Sequence, residues 1–375
     1  MSAVRVIPVT TRRQKRQFLG FPWQLYRNDP HWVPPLRLNQ KQLVGYARHP
    51  FYDDAQVQTF LAMRNGRICG RIAAIVNDVH NRTRQDEQRG FLGFFESEND
   101  PTVAHALFDA ARGWLADHGQ RQLRGPTNPS INYEWGLLID GFEQSPTFMM
   151  TYNPPYYQEL WESYGFVKAQ DMYSFYGHKD GLEKLSEKVQ FVATESARRL
   201  NLKLRRVDKR HFTRDVRIFL DIYNKALVGT WGFIPLSESE IVHLAASLRN
   251  LIVPDLTLIA EVGDEPVGAL FGLLDYNPRI RDINGRLFPF GFLKLLNNRQ
   301  QIQRVRLIST NVLPEYQRWG VGVVLTTALV EPALAFGVTE GEFSWVLESN
   351  HLSRKTLERG GLALEKTHRV YDLIE

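Results

Sequence analysis

The sequence predicts an α/β protein made of two related halves, and three observations carry that expectation. With 375 residues the chain exceeds the roughly 100–200 of one domain, so about two are expected. Strand-like and helix-like stretches alternate along it, the pattern of a sheet with helices packed on its faces. Three local patterns also recur in the same order, and self-similarity constrains architecture before any single element does.

The first recurring pattern is a strand leading into a helix. "VRVIPV" (4–9) precedes a helical stretch ending in "WQLY" at Tyr26, and "LKLRRV" (202–207) precedes one ending in "LDIY" at Tyr223. In the second copy Phe212, Val216, Phe219, Leu220 and Tyr223 share one helical face, an apolar stripe suited to core packing. The second pattern is a hairpin, "FLAMRNGRICGRIAAIV" (60–76) and "LIAEVGDEPVGALFGLL" (258–274). Its turns fall at Asn65-Gly66 and Gly263-Asp264, dipeptides that accept positive φ. In each hairpin an alanine (Ala62, Ala260) stands eight residues before a glycine (Gly70, Gly268). The third pattern is a short helix closing on glycine, "YYQELWESYGF" (156–166) and "LSRKTLERGGL" (352–362).

Between the copies, "GLEKLSEKVQFVATESARRLNL" (181–202) has the charge-rich pattern of a connecting helix. The expected division is therefore residues 1–180, a connecting helix over 181–202, and residues 203–375. Each half runs strand, helix, hairpin, strand, helix, strand, helix, strand on a mixed sheet.

Composition narrows the function class. The net charge is +5, and the basic residues are scattered among aromatics instead of forming a block. A nucleic-acid partner is not expected; mild positive charge suits a phosphate-rich ligand or an anionic membrane surface. Cys69 is the single cysteine, so no intrachain disulfide forms, and its strand context suits core filling. No apolar run reaches the ~20 residues that cross a bilayer, and the N-terminus lacks an apolar stretch of signal-peptide length. A cytoplasmic protein is expected, and no metal.

The most informative stretch is "LPEYQRWGVGVV" (313–324). A strand candidate, "VRLISTNVL" (305–313), ends at Pro314-Glu315-Tyr316, and the helix candidate "GVGVVLTTALVEPALAFG" (320–337) begins at Gly320. Amides in the first turn of a helix lack intrahelical partners and the macrodipole is positive there, so backbone alone can hold an anion. Glycines at 320 and 322 are expected to clear the space a pyrophosphate needs. The stretch is not a Walker loop, because no Lys-Ser/Thr follows, and it lacks the third glycine of the dinucleotide fingerprint, where Leu325 stands.

The segment V-x-P-E-Y-Q-R-W-G-V-G, with Gln317-x-x-Gly320-x-Gly322, resembles the acyl-CoA signature of the GNAT acyltransferase superfamily. Its surroundings agree: a hairpin upstream, then a strand "EFSWVLESN" (342–350) and a helix entered at Asn350 and closed at Gly361. The resemblance is strong over residues 203–375 and degenerate over 1–180. It implies two tandem GNAT-like domains, each a mixed, mostly antiparallel sheet flanked by helices. It also implies an acyl-CoA co-substrate, acetyl or fatty. A splayed strand would admit the pantetheine arm, and Val312, Gln317, Arg318, Trp319, Gly320, Val321, Gly322, Val323 and Asn350 would contact the cofactor. The first half departs from the signature. Its loop after "GFLGFFES" (90–97) carries Glu96, Glu98 and Asp100 at a helix start and no glycine pair, so its own carboxylates answer the dipole and repel pyrophosphate. Asp100-Pro101 reads as an N-cap followed by proline at the first helical position, and one CoA site is expected, not two.

N-acyl transfer requires a neutral amine, an oxyanion donor and a proton for the leaving thiolate, and alkylamines with pKa values near ~10 need a base. Glu348 on the last strand, Asp275 at the hairpin's end and Glu134 are the candidates, each of which can equally be a solvated or structural carboxylate. A backbone N–H near Val312 can meet the oxyanion. Many superfamily members carry an acidic tyrosine on the closing helix, where this chain has Leu357; Tyr276, Tyr316 or water would replace it. The segment 124–157 gathers Asn128, Asn132, Glu134, Tyr152 and Asn153 among prolines and aromatics, as an acceptor-binding loop or an ordered interface would.

"GRLFPFGFLKLL" (285–296) interrupts the second copy with eight apolar side chains. It is read as a flap over an acyl chain, a membrane contact, or a helix on the domain's own core. Together with "NKALVGTWGFIPLSESE" (224–240) and the asparagine-rich loop, it is similar to the long double-domain bacterial GNAT group that includes ceramide synthases. That similarity implies a long-chain, sphingoid-like amine acceptor in lipid metabolism. Two other readings stand beside it: a Fem-like transferase using aminoacyl-tRNA, and a module that senses acyl-CoA without turnover.

Overall fold

The computed structural model describes residues 3–182 and 187–374. Part of the expected connecting segment, 183–186, lies outside the described residues, and a helix covers Glu187–Leu200. The chain divides into two compact units. Unit 1 comprises Met1–Asp171, Asn277–Phe292 and Lys366–Glu375; unit 2 comprises Met172–Tyr276 and Leu293–Glu365. The units therefore differ from the contiguous halves 1–180 and 203–375, because the insertion at 277 and the last strand residues belong with unit 1.

Unit 1 holds strands β1 (Arg5–Pro8), β2 (Ala55–Arg64), β3 (Arg67–Asn77), β4 (Arg89–Ser97), β5 (Gln122–Gly125), β6 (Thr127–Asn128), β7 (Glu134–Trp135) and β8 (Leu137–Asp140). Strand β9 (Val167–His178) runs from unit 1 into unit 2, which adds β10 (Leu202–Arg206), β11 (Thr257–Val262), β12 (Glu265–Leu274), β13 (Arg304–Val312) and β14 (Glu340–Leu347). Strand β15 (Ala363–Leu373) ends in unit 1. The main strands of unit 1 follow the order β1-β2-β3-β4-β5-β15, and those of unit 2 the order β10-β11-β12-β13-β14-β9. Within each, one neighbouring pair is parallel, β4 with β5 and β13 with β14. Each unit thus carries mixed, mostly antiparallel strands with helices, as the sequence leads one to expect.

The recurring alanine–glycine spacing has a packing reason. Ala62 lies opposite Gly70 and Ala260 opposite Gly268, each pair next to an irregularity in register. A Cβ on Gly70 would approach Leu107 at 2.8 Å and Val103 at 3.0 Å, and one on Gly268 would approach Val321 at 3.1 Å and Leu325 at 3.2 Å. Each glycine lets the helix after the next strand, Pro101–Asp117 or Val321–Phe336, lie close on its hairpin. Phe108 of the first helix joins Phe95, Trp161 and Phe166 in the aromatic core of unit 1. In unit 2, Val321, Val324, Leu325 and Leu329 are buried on one sheet face. Phe271, three residues along β12 from Gly268, points to the opposite face and meets Phe219 of helix Phe212–Ala226 with ring centroids 5.5 Å apart.

Candidate acyl-CoA site

The candidate site grows from one strand. Strand β13 stays paired with β12 as far as Gly268 opposite Val312, but its parallel ladder with β14 ends at Leu307 opposite Phe343. Since β13 continues to Val312 and β14 to Leu347, the two strands part beyond this point. The same place carries a bulge: Leu307 faces Gly272 and Ser309 faces Phe271, leaving Ile308 as an extra residue. An inserted residue bends its strand and sharpens the twist. The N–H of Leu313 donates to the Val267 carbonyl at 2.9 Å, so by antiparallel alternation the amides of Val312 and Thr310 face the opened side.

The segment Pro314–Trp319 forms a 3₁₀ turn, Gly320 takes φ +78°, and the helix Val321–Phe336 follows. No side chain caps this helix. The amides of Val323 and Val324 donate to the Gly320 carbonyl at 3.0 and 3.1 Å, whereas those of Gly320, Val321 and Gly322 meet no acceptor among the described residues. Three consecutive free donors at a positive helix end form an anion cradle.

The two glycines have different duties. A Cβ on Gly322 would meet nothing nearer than Val312 Cγ2 at 3.9 Å and Thr310 Cγ2 at 4.0 Å, so its missing side chain faces open space above the parted strand. A Cβ on Gly320 would strike Ser196 Oγ at 2.5 Å, away from any ligand space, and the left-handed backbone already favours glycine there. Gly320 is therefore a conformational requirement, and only Gly322 clears the site. Val323 likewise contributes no free amide. The Gln317 side chain donates to the carbonyls of Val312 at 3.1 Å and Ala226 at 3.4 Å, bracing the turn against β13. Arg318 and Trp319 are exposed on the turn, and Asn350 caps the helix His351–Arg359 by accepting from the Ser353 N–H at 3.1 Å.

Unit 1 has the same framework with the site filled. Its parallel ladder ends at Phe91 opposite Arg124, but beyond it a Cβ on Gly93 would lie 1.8 Å from the Thr127 carbonyl oxygen, and Phe94 N–H donates to Asn128 Oδ1 at 2.6 Å. At its helix start only Asp100 caps, accepting from Thr102 N–H at 2.8 Å while pairing with Arg64 at 2.7 Å. Glu98 pairs with Arg67 at 2.8 Å. Glu96, expected at the helix end, is instead inside the core, where it accepts from Tyr26 at 2.6 Å and Tyr157 at 2.8 Å and pairs with Arg71 at 3.3 Å. Burial raises its pKa, against the pull of Arg71 and the two hydroxyls.

The remaining expected residues separate into those near the opened strands and those fixed elsewhere. Glu348 follows β14, 3.5 Å from the hydroxyl of Tyr173 on β9, and Arg354 lies over the Tyr173 ring at 4.8 Å. Asp275 is nearly buried and stands level with Arg304, to whose carbonyl its N–H donates at 2.8 Å. That position is roughly 10 Å below the parting of the strands, at ~3.3 Å per residue. Tyr276 is fully buried with its hydroxyl on the Leu251 carbonyl at 2.8 Å, which removes it as the acid. Leu357 is half-buried on the closing helix and Tyr316 half-buried on the turn.

In unit 1, Asn153 is a structural pin: it accepts from Leu138 N–H at 2.7 Å and donates to the carbonyls of Leu138 and Pro154, both at 3.0 Å. Asn128 plugs the strand gap, and Glu134 lies opposite it in the β6–β7 ladder. The Asn132 N–H donates to Ser130 Oγ at 3.3 Å. Tyr152 donates to Asp29 at 2.8 Å among Tyr26 and Trp32, and burial followed by that carboxylate raises its pKa.

One group at the apex escapes sequence reading. Where β13 and β14 part, buried Arg306 donates to Ser344 Oγ at 2.8 Å, and Ser344 donates to buried Glu342 at 2.8 Å. Arg306 and Glu342 are register partners, and the Arg306 guanidinium also covers the Trp345 ring at 4.8 Å. The readable signal is one basic and one acidic residue at inward positions of neighbouring strands, which must pair when buried.

No family model matches the chain. A bacterial ceramide synthase from Caulobacter vibrioides is 32% identical over 376 residues, covering 98% of this chain and 96% of the relative. The chain belongs to the double-domain GNAT group that includes the bacterial ceramide synthases. Protein YghO of Escherichia coli is also 32% identical, over 95% of this chain and 92% of its own length. A tandem GNAT protein from the clavulanic acid biosynthesis pathway superposes with a TM-score of 0.58 at 10% identity, over 99% of this chain and 98% of that one. The glucosamine N-acetyltransferase region of a fungal β-N-acetylglucosaminidase gives 0.57 at 12% identity, with this chain spanning 38% of that multi-domain protein. These two likenesses are likenesses of fold. As a member of this GNAT group the protein is an acyltransferase of the N-acyl-transferring type.

Proposed function

We propose that the protein moves an acyl group from a CoA thioester to an amine, with a long-chain, sphingoid-like amine as acceptor. The observation that carries the reading is the set of three unpartnered amides, Gly320 to Gly322, at the mouth of the gap between β13 and β14. A diphosphate accepts from those amides, Arg318 adds a cation, and the pantetheine arm lies along the opened edge of β13. Unit 1 offers no second site, because its gap holds its own chain and its helix start is capped.

The amine nitrogen attacks the thioester carbon and the C–S bond breaks. Val312 N–H, facing the opened side, steadies the oxyanion. Glu348 accepts the proton that the amine loses, and the neighbouring Tyr173 hydroxyl protonates the leaving thiolate in the role that Leu357 cannot fill. The buried Arg306–Ser344–Glu342 chain holds the apex rigid. Acceptor recognition is assigned to unit 1, around Tyr152 and Asp29. The relative's name, ceramide synthase, supports the lipid acceptor. No described helix is long and apolar enough to cross a membrane, and a cytoplasmic protein touching the membrane periphery completes the reading.

Calorimetry with CoA, acetyl-CoA and palmitoyl-CoA, joined to a free-thiol assay over a panel of amines, tests it. Tight palmitoyl-CoA binding with thiol release on a sphingoid amine is expected. Binding without release for any amine assigns a sensing module instead, and no CoA binding at all reopens the aminoacyl-tRNA reading. Glu348→Gln and Tyr173→Phe are expected to remove opposite limbs of the pH–rate profile.

A further inference from the structure

The insertion at 285–296 does not lie on a core of its own. Phe288 is 72% and Phe290 71% exposed, Phe292 and Leu293 follow at 39% and 54%, and of the short helix Gly291–Leu296 only Leu295 is buried. Three exposed phenylalanines within five residues exceed the scattered apolar side chains of an ordinary surface.

The base of this projection is held firmly within unit 1. The Arg37 N–H donates to the Gly285 carbonyl at 3.0 Å, Trp23 Nε1 donates to Asn284 Oδ1 at 2.6 Å, and Arg37 Nε donates to the Asn284 carbonyl at 3.3 Å. The aromatic tips thus stand on an anchored stem. Within the insertion itself, residues 285–296, the two charged side chains, Arg286 and Lys294, are both basic and exposed. Arg286 is exposed and close enough to Arg37 for the two like charges to depress the Arg37 pKa, an effect second to burial.

We propose that Phe288, Phe290 and Phe292 insert into the interface of an anionic lipid bilayer, with Arg286 and Lys294 against its headgroups. Aromatic rings suit the headgroup level, and exposed apolar area flanked by cations of one sign matches a negatively charged leaflet better than a neutral one. The proposal deepens the peripheral-membrane part of the reading above, but its test involves neither CoA nor amine, so either can fail alone.

The full chain is sedimented with vesicles of phosphatidylcholine plus phosphatidylglycerol and with vesicles of phosphatidylcholine alone. Co-sedimentation with the mixed vesicles and its reduction by salt are expected. The pair Phe288→Ser and Phe290→Ser is expected to lower the partition at least about tenfold, and Arg286→Glu about fivefold on anionic vesicles or more. Far-ultraviolet circular dichroism and the thermal midpoint stay unchanged in these exposed variants. Wild-type protein that ignores both vesicles overturns the proposal, as does a double variant that pellets like wild type. A dimer by light scattering that the phenylalanine pair abolishes, without vesicle binding, also overturns it and makes the patch a contact between copies.

Discussion

Replacing Gly322 by glutamate tests the anion cradle with little structural penalty. The position has an ordinary helical backbone, and an added Cβ meets only two methyl groups, at 3.9 and 4.0 Å. Alanine there is expected to leave the thermal midpoint unchanged or to raise it slightly, since glycine inside a helix costs up to about 1 kcal/mol relative to alanine. A carboxylate at this site also suits the helix dipole in the free protein. For the ligand the effect reverses. A unit negative charge about 5 Å from a phosphate, at an effective dielectric constant near 20, costs about 3 kcal/mol, or roughly two orders of magnitude in affinity. Calorimetric titration of CoA reads the affinity and a melting curve reads the fold. Gly320→Ala is the contrast: its left-handed backbone costs about 1–2 kcal/mol for a non-glycine residue, and the new methyl group collides with Ser196, so its midpoint falls. CoA binding by Gly322→Glu at wild-type affinity, with an unchanged midpoint, refutes the reasoning and reduces the loop to a turn.

Other expectations concern stability. Burial pushes the His80 pKa down to about 4, so between its ordinary ~6.5 and that value the unfolded chain binds the extra proton. Stability is then complete above about pH 6.5 and declines by about 3 kcal/mol as pH falls to about 4, and His80→Gln flattens urea midpoints across that window. Asn153→Ala leaves the Leu138 N–H and C=O without their partner and is expected to lower stability by about 3 kcal/mol, with KM for the amine little changed in the protein that remains folded. Glu342→Ala removes the buried carboxylate that accepts from Ser344, itself the acceptor of Arg306; a loss of about 3 kcal/mol is expected by denaturant unfolding, and an unchanged midpoint disproves the buried network.

What the sequence determined by itself was whatever short-range spacing encodes. The doubled hairpins with their Ala62–Gly70 and Ala260–Gly268 pairs, the strand-to-helix junction at Gly320, and the Asp100 cap all follow from residues within one or two turns of each other. Tertiary structure decided which way those residues face. The extra residue Ile308 in β13 and the irregularity after Phe343 in β14 fall where the ladder between those strands ends, and a one-residue shift exchanges the faces of every side chain beyond it. A left-handed backbone beside Ser196 gives Gly320 a conformational duty and leaves the open space to Gly322. Asn128 and Asn153, attractive as ligands by composition, become backbone pins once β4 and β8 lie beside them. The Arg306–Ser344 bond joins residues 38 apart in the chain, so local patterning carries the charges but not their meeting. Only the register of two strands does that.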